Sequence, residues 1–337
     1  MTGPALELRD VEVVYERRGR ERVRAVAGAS LTVERGQIVG LVGESGCGKS
    51  SLARAAVGLV RPAAGSVLFE GREVTPLTRR ARPRELARLQ MVFQNPYSSL
   101  NPRRRVGSQL ADALDALELA PRCGRRARVE ELLGLVGLPA AAAARYPHQF
   151  SGGQRQRIAV ARALAAEPSV LVLDEPLASL DASAQAQLAN LLVDLSRRLS
   201  LSLLLISHDL AIVRHVADVV SVMYLGVMVE RGPTQPLWSI PLHPYTEALI
   251  GAVPRPDGRG ALPAALPGEV PDPARPPAAC RFHPRCPYAF ERCSRDDPVL
   301  LEVAPGRSAA CWLQTGEEPP APPAVQARRL SLVRAEE

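Results

Sequence analysis

The run Gly43-Glu44-Ser45-Gly46-Cys47-Gly48-Lys49-Ser50 fits G-x-x-x-x-G-K-[ST], the pattern of a phosphate-binding loop. Such a loop constrains the fold because it needs a strand before it and a helix after it. Both are legible. Gln37-Ile38-Val39-Gly40-Leu41-Val42 is a short apolar run that reads as a buried strand, and Ser51 to Leu59 has helical composition. Strand, glycine loop and helix together aim backbone N–H groups and a helix N-terminus at phosphate oxygens. Of 42 basic side chains, Lys49 is the single lysine; all the others are arginine. A compact ammonium fits between β- and γ-phosphates, where a planar guanidinium is too wide. Ser50 is placed to put its hydroxyl on Mg²⁺. The plain alternative is an ordinary glycine turn before a helix.

A chain of 337 residues holds one large domain or two smaller ones. Its hydrophobic content of 46% permits a full core, and with only 4% aromatic residues that core must be built from Leu, Val, Ile and Ala. No uncharged apolar stretch reaches the roughly 18 residues a membrane span needs. The first residues lack signal-peptide character. A soluble, cytoplasmic chain is expected. The net charge of +7 comes mainly from arginine clusters: Arg79-Arg80, Arg103-Arg104-Arg105 and Arg125-Arg126. Solvated surface is the first reading and anionic lipid headgroups the second. Nucleic acid is the third, without an aromatic-interleaved basic motif to support it.

Residues 1–36 read as short strands around a turn-rich Arg/Gly segment, and Ser66 to Gly71 as a further strand and turn. Helical character dominates 98–165. Val170 to Leu173 and Leu203 to Ile206 are continuous β-compatible apolar runs separated by helical sequence, which predicts an α/β parallel core. Composition then shifts: sixteen of the 31 prolines lie beyond residue 250. Residues 254–277 read as an irregular connector, 278–313 as a cysteine-bearing segment and 316–325 as extended or disordered. There is no internal repeat, so one nucleotide domain is expected.

Two further motifs point to the same chemistry. The strand Val170 to Leu173 ends in Asp174-Glu175, so Asp174 can hold Mg²⁺ and Glu175 can face an attacking water. Ser151-Gly152-Gly153 opens a predicted helix over Gln154–Ala166, a second anion-receiving helix start.

Taken in order, these motifs make the chain resemble the ATPase subunit of an ABC transporter over residues 5 to about 250. The resemblance implies a P-loop NTPase α/β fold with an antiparallel β subdomain and a helical subdomain at about 95–165. A small irregular Cys-bearing extension (251–315) and a flexible tail (316–337) would follow. Gly43 to Ser50 resembles Walker A, so Gly43, Glu44, Ser45, Gly46, Cys47, Gly48, Lys49, Ser50 and Ser51 are expected around the phosphates of ATP. Val170 to Asp174 resembles Walker B, with Glu175 as the catalytic glutamate. Gln94 resembles the Q-loop glutamine; with Ser50 and Asp174 it is expected to hold Mg²⁺. Ser151, Gly152, Gly153 and Gln154 resemble the signature, with Phe150 where leucine is commoner. Ser179-Leu180-Asp181 resembles the D-loop, and His208 the switch histidine. Tyr15 sits where the family stacks an aromatic ring on adenine.

A narrower resemblance is to dipeptide and oligopeptide importer ATPases. It rests on Val92 to Arg103, on Tyr146-Pro147-His148-Gln149, on Leu242-His243-Pro244-Tyr245 and on the run Cys280-Arg281-Phe282-His283-Pro284-Arg285-Cys286-Pro287. It implies peptide import; nickel or another small solute is the alternative cargo, and a soluble ABC-type ATPase is the competing class. The implied partners are a second ATPase (a paralogue or a second copy), two permease subunits and, indirectly, an extracytoplasmic binding protein, without nucleic acid. The implied location is peripheral, on the cytoplasmic face of the membrane. Signature residues would act in trans, on the nucleotide held by the partner's Walker A. Finally, Cys280, Cys286, Cys293 and Cys311 fall at spacings x5, x6 and x17. Zinc sites prefer closer pairs, whereas iron–sulfur spacings vary more. A [4Fe–4S] cluster is expected, with buried unliganded thiols and disulfides as the alternatives.

Overall fold

A computed structural model describes residues 3–16, 22–77, 83–95, 99–119, 121, 123–253 and 268–315. The Arg79-Arg80 pair, residues 96–98 after the Q-loop glutamine, most of the expected connector and the 316–337 tail lie outside the described residues.

Two sheets frame the molecule. Strands β1 (Leu6–Tyr15), β2 (Val23–Val33), β4 (Ala64–Phe69) and β5 (Arg72–Glu73) form an antiparallel sheet of order β2-β1-β4-β5. The larger sheet holds β3 (Ile38–Val42), β6 (Leu89–Val92), β7 (Val170–Asp174), β8 (Ser202–Ile206), β9 (Val219–Tyr224), β10 (Val227–Pro233), β11 (Leu301–Ala304) and β12 (Arg307–Ala309). Its order is β11-β12-β10-β9-β3-β8-β7-β6. The pairings β9/β3, β3/β8, β8/β7 and β7/β6 are parallel. Every residue of β3, β7 and β8 is buried. That burial on both faces is why these strands read as unbroken apolar runs rather than as alternation.

The two faces feed two cores. Val170, Val172, Leu204 and Ile206 join the antiparallel sheet and helix α1 (Lys49–Ala56) in one. Leu171, Leu173, Leu203 and Leu205 point into the other, against helices. Those helices are α2 (Val106–Ala116), α3 (Arg125–Leu135), α4 (Gly152–Leu164), α5 (Ala182–Leu199) and α6 (Leu210–Val216). Caps fix their starts: Ser151 with Gln154 makes a reciprocal capping box on α4, Asp181 caps α5 and Asp209 caps α6. The described arginines at 104, 125, 126 and 128 pair with surface carboxylates, as solvated clusters do.

The C-terminal segment adds order that its sequence did not announce. After α7 (Thr234–Ser239) and α8 (Pro244–Gly251), a 3₁₀ turn at His283–Arg285 and a short helix α9 (Glu291–Arg295) precede the β11–β12 hairpin. β12 pairs with β10, so this hairpin extends the main sheet. Phe282 is buried in the helix-side core, against Tyr224 and Tyr245 at centroid distances of 5.3 Å each. A buried carboxylate ties the segment down. Glu230 accepts from the backbone N–H groups of Leu242 and His243, each at 2.9 Å, and faces the Arg307 guanidinium at 3.5 Å. His243 is itself buried. Desolvation pulls its imidazole down to about 3, so it stays neutral and its Nδ1 accepts from the Tyr245 N–H at 3.0 Å.

Candidate functional site: an ATP site at the strand ends

The expected site residues converge at the carboxyl ends of the parallel strands, where open α/β sheets place ligands. The phosphate loop follows β3, Gln94 lies just after β6, Asp174 ends β7 with Glu175 next, and His208 comes two residues after β8. The loop's glycines are required by its path. A Cβ on Gly43 would lie 2.1 Å from the Met223 carbonyl oxygen, and one on Gly48 would lie 2.1 Å from that of Ala25. Gly48 also has φ 106°, and it passes the chain directly into α1.

Lys49 is buried, and its Nζ donates to the carbonyls of Gly43 and Glu44 at 2.8 Å each. The ammonium is thus folded back along its own loop, in reach of anything the loop encloses. The Cys47 thiol lies beside it, and burial pushes that thiol above its ordinary value. Ser50 Oγ donates to Asp174 Oδ1 at 2.7 Å. Burial pushes the Asp174 carboxyl up, and the Ser50 hydroxyl works in the opposite direction. A hydroxyl and a carboxylate in contact are the hard oxygen donors Mg²⁺ prefers, and Ser50 and Asp174 fit that ion; Gln94, also expected there, turns its amide N–H to Glu175.

Glu175 is the centre of a second cluster. Gln94 Nε2 donates to Glu175 Oε2 at 3.0 Å, and His208 Nδ1 lies 3.4 Å from the same oxygen. The Glu175 backbone has φ 46°, a left-handed conformation that residues with a Cβ adopt uncommonly. Its N–H donates to the Ile206 carbonyl at 3.0 Å, which holds this turn against β8. Strain of this kind is held where a side chain must be aimed. Tyr15 is partly exposed, with its hydroxyl 3.3 Å from Ser51 Oγ, so its ring stands at the mouth of the loop.

Other expected site residues lie apart from the phosphate loop. Gly152 and Gly153 pack beside Leu180 and Ala184, at the start of α5. The Ser151 hydroxyl and the Asp181 carboxylate serve as helix caps within this neighbourhood. Ser151, Gly152 and Gln154 are exposed, and Gly153 is partly buried.

The [4Fe–4S] expectation at the four C-terminal cysteines finds no support in their arrangement. None is in a disulfide. Among the described residues, no group of three or more His, Cys, Asp or Glu is arranged to hold a metal ion. The thiols are nevertheless neighbours. Burial pushes Cys280 up to about 11 and Cys286 and Cys311 up to about 12, with the nearby cysteines, Cys293 among them, adding to the effect. Cys280 and Cys286 are partly buried and pack against the helix-side core, as small apolar groups do.

Sequence reasoning missed two contacts on the loop. Tyr245 accepts the Glu44 N–H at 2.8 Å, and Arg285 grips the Glu44 carboxylate. The residues are separated by 201 and 241 positions, and no local pattern pairs them.

Comparisons agree with this geometry. Residues 26–178 match the family model described as ABC transporter, and residues 229–293 match that of the oligopeptide/dipeptide transporter C-terminal region. The chain is 49% identical over 296 residues to a di/tripeptide transport ATP-binding protein of Pseudomonas aeruginosa, covering 87% of this chain and 91% of the relative. It is 43% identical over 318 residues to an oligopeptide transport ATP-binding protein of Bacillus subtilis, covering 91% and 97%. Among solved structures it resembles cbiO1 of Clostridium perfringens, part of an ABC transporter complex, with TM-score 0.61 and 26% identity over 70% of this chain and 91% of that one. It also resembles a dimeric ATP-binding cassette in a post-hydrolysis state with ADP and Pi, with TM-score 0.60 and 26% identity over 68% and 99%. Motif order, strand-end geometry and these likenesses agree: the chain belongs to the ABC transporter ATP-binding subunits, in the branch that carries the oligopeptide/dipeptide-transporter C-terminal region.

Proposed function

We propose that this chain hydrolyses ATP to drive import of short peptides through a membrane ABC transporter. The observation that carries the reading is the shared oxygen of Glu175. It takes a hydrogen bond from Gln94 and faces His208, immediately after the Asp174 that receives Ser50. That arrangement suits a γ-phosphate held by Lys49 and the loop N–H groups, with a water aimed by Glu175. Mg²⁺, held by Ser50, Asp174 and Gln94, supplies neutralisation of phosphate charge. The residues themselves do the positioning, which is most of catalysis in phosphoryl transfer. Tyr15 stacks on the base. The signature of Ser151, Gly152, Gly153 and Gln154, with Asp181 nearby, serves the nucleotide of a second ATPase, a paralogue or a second copy.

No described helix is long and apolar enough to cross a membrane. The likeness to transport ATP-binding proteins supports a chain that works beside permease subunits at the cytoplasmic membrane face. The peptide cargo follows from the names of the relatives and from the C-terminal region. The test is co-assembly with two permease subunits and a binding protein of a peptide importer, in vesicles containing ATP. ATP-dependent accumulation of labelled di- and tripeptides is expected. Accumulation of nickel but not peptides would replace the cargo, and failure to assemble with any permease would favour the soluble class.

We further propose that Cys280, Cys286, Cys293 and Cys311 take up a [4Fe–4S] cluster. Four thiols, none of them in a disulfide and each within electrostatic reach of another, supply the donor type and number such a cluster takes. The cluster would cross-link the segment's loops. Anaerobically purified full-length protein is expected to be brown, with about four iron and four sulfide per chain. Colourless protein with one zinc or no metal overturns this.

A further inference from the structure

The three handles of Glu44 are all held. Its N–H donates to Tyr245 Oη at 2.8 Å, its carbonyl accepts from Lys49 Nζ at 2.8 Å, and its carboxylate is gripped by Arg285. The last contact is a two-pronged fork: Arg285 Nη1 to Oε2 at 2.7 Å and Nη2 to Oε1 at 3.0 Å. The Arg285 side chain is only 3% exposed and the Glu44 side chain 15%. Nη1 also donates to Tyr224 Oη at 3.2 Å, and the guanidinium lies over the Tyr224 and Phe282 rings at 5.7 and 5.8 Å. A second arm starts four residues earlier. Arg281 donates to the Leu225 carbonyl, and the next residue, Gly226, donates its N–H to the Cys47 carbonyl at 2.8 Å. One short C-terminal stretch, 280–286, therefore braces both the second and the fifth residue of the phosphate loop.

Glu44 is a carboxylate inside a loop that must accept a polyphosphate. Left alone it would repel that ligand and compete for the Lys49 ammonium. We propose that Arg285 is a positioning residue for ATP: by neutralising and clamping Glu44 it keeps a negative charge off the nucleotide, and so makes phosphate-loop affinity depend on the C-terminal extension. This rests on the reading of residues 43–50 as the ATP loop. A bidentate clamp of this kind suits arginine and not lysine.

The test is steady-state ATP hydrolysis by the full-length chain in its assembled transporter, with KM and kcat measured separately at low and high salt. Arg285→Met is expected to raise KM for ATP about tenfold while kcat changes little, because the lost contact acts on binding charge and not on Glu175. Raising ionic strength is expected to shrink the effect only in part, because the Glu44 side chain is 15% exposed and enclosed charges are screened less than surface ones. Arg285→Lys falls between. Arg285→Met with Glu44→Gln returns KM towards the parent value, since the neutral amide no longer repels phosphate. A KM within twofold of the parent in Arg285→Met overturns the proposal, as does a raised KM that the added Glu44→Gln leaves unrescued, which marks a merely structural contact. Should Arg285→Met fail to fold, Arg285→Lys with and without Glu44→Gln decides by the same rescue criterion. A parent chain that neither binds nor hydrolyses ATP refutes the ATPase reading instead, so the two failures are distinct.

Discussion

Glu175→Gln lowers steady ATP turnover by about a thousandfold in the assembled transporter, while MgATP binding survives. The substitution keeps the side chain's shape, and the backbone turn at φ 46° is fixed by the Glu175 N–H bond to Ile206, which an amide side chain does not disturb. What changes is the charge on the oxygen that Gln94 and His208 share. A carboxylate there orients and polarises a water; an amide accepts a hydrogen bond but pulls far less on a proton. Lys49, Ser50 and Asp174 are untouched, so the phosphates keep their partners. The measurement is phosphate release after mixing with MgATP, alongside equilibrium nucleotide binding. Turnover within tenfold of the parent removes Glu175 from its assigned role.

The parts of this site that could be read from sequence were those with local chemistry. The phosphate loop needs glycine where no Cβ fits, and Gly43 and Gly48 meet carbonyl oxygens at 2.1 Å. Strands β3, β7 and β8 showed as apolar runs because both of their faces are covered. The left-handed turn at Glu175 left no trace, since glutamate carries no preference for it. The β11–β12 hairpin was equally silent. Leu301, Glu302 and Val303 are exposed, so no alternation between buried and exposed positions exists to be seen. Arg285 lies in the Cys280 to Pro287 run that carried the narrower resemblance, but nothing local marks it as a clamp; its partners Glu44 and Tyr224 come from distant parts of the chain. The four cysteines were recognisable as a group, but sequence spacing overstated how far the protein alone draws them into a ligand set.

Ser151→Arg separates the two halves of the site. Within its own chain Ser151 only caps α4, accepting the Gln154 N–H at 3.3 Å while Gln154 Oε1 takes the Ser151 N–H at 3.1 Å. Losing that cap costs about 1 kcal/mol, too little to unfold the domain. The chain's own loop, Lys49 through Asp174, is built without it, so MgATP binding by the variant is expected at parent affinity. The damage falls on the partner. A bulky cation at a helix start that must close on the other chain's γ-phosphate blocks closure, and hydrolysis at that composite site drops by about two to three orders of magnitude. Combining lesions in two differently tagged chains reads the geometry. Ser151→Arg and Glu175→Gln in the same chain, opposite a parent chain, disable both sites. Placed in opposite chains, both lesions land on one site and leave the other whole. Single-turnover phosphate release is therefore expected to be greater in the split arrangement than in the combined one. The reverse order, or loss of nucleotide binding in the Ser151→Arg chain alone, means the signature serves its own loop and the trans geometry is wrong.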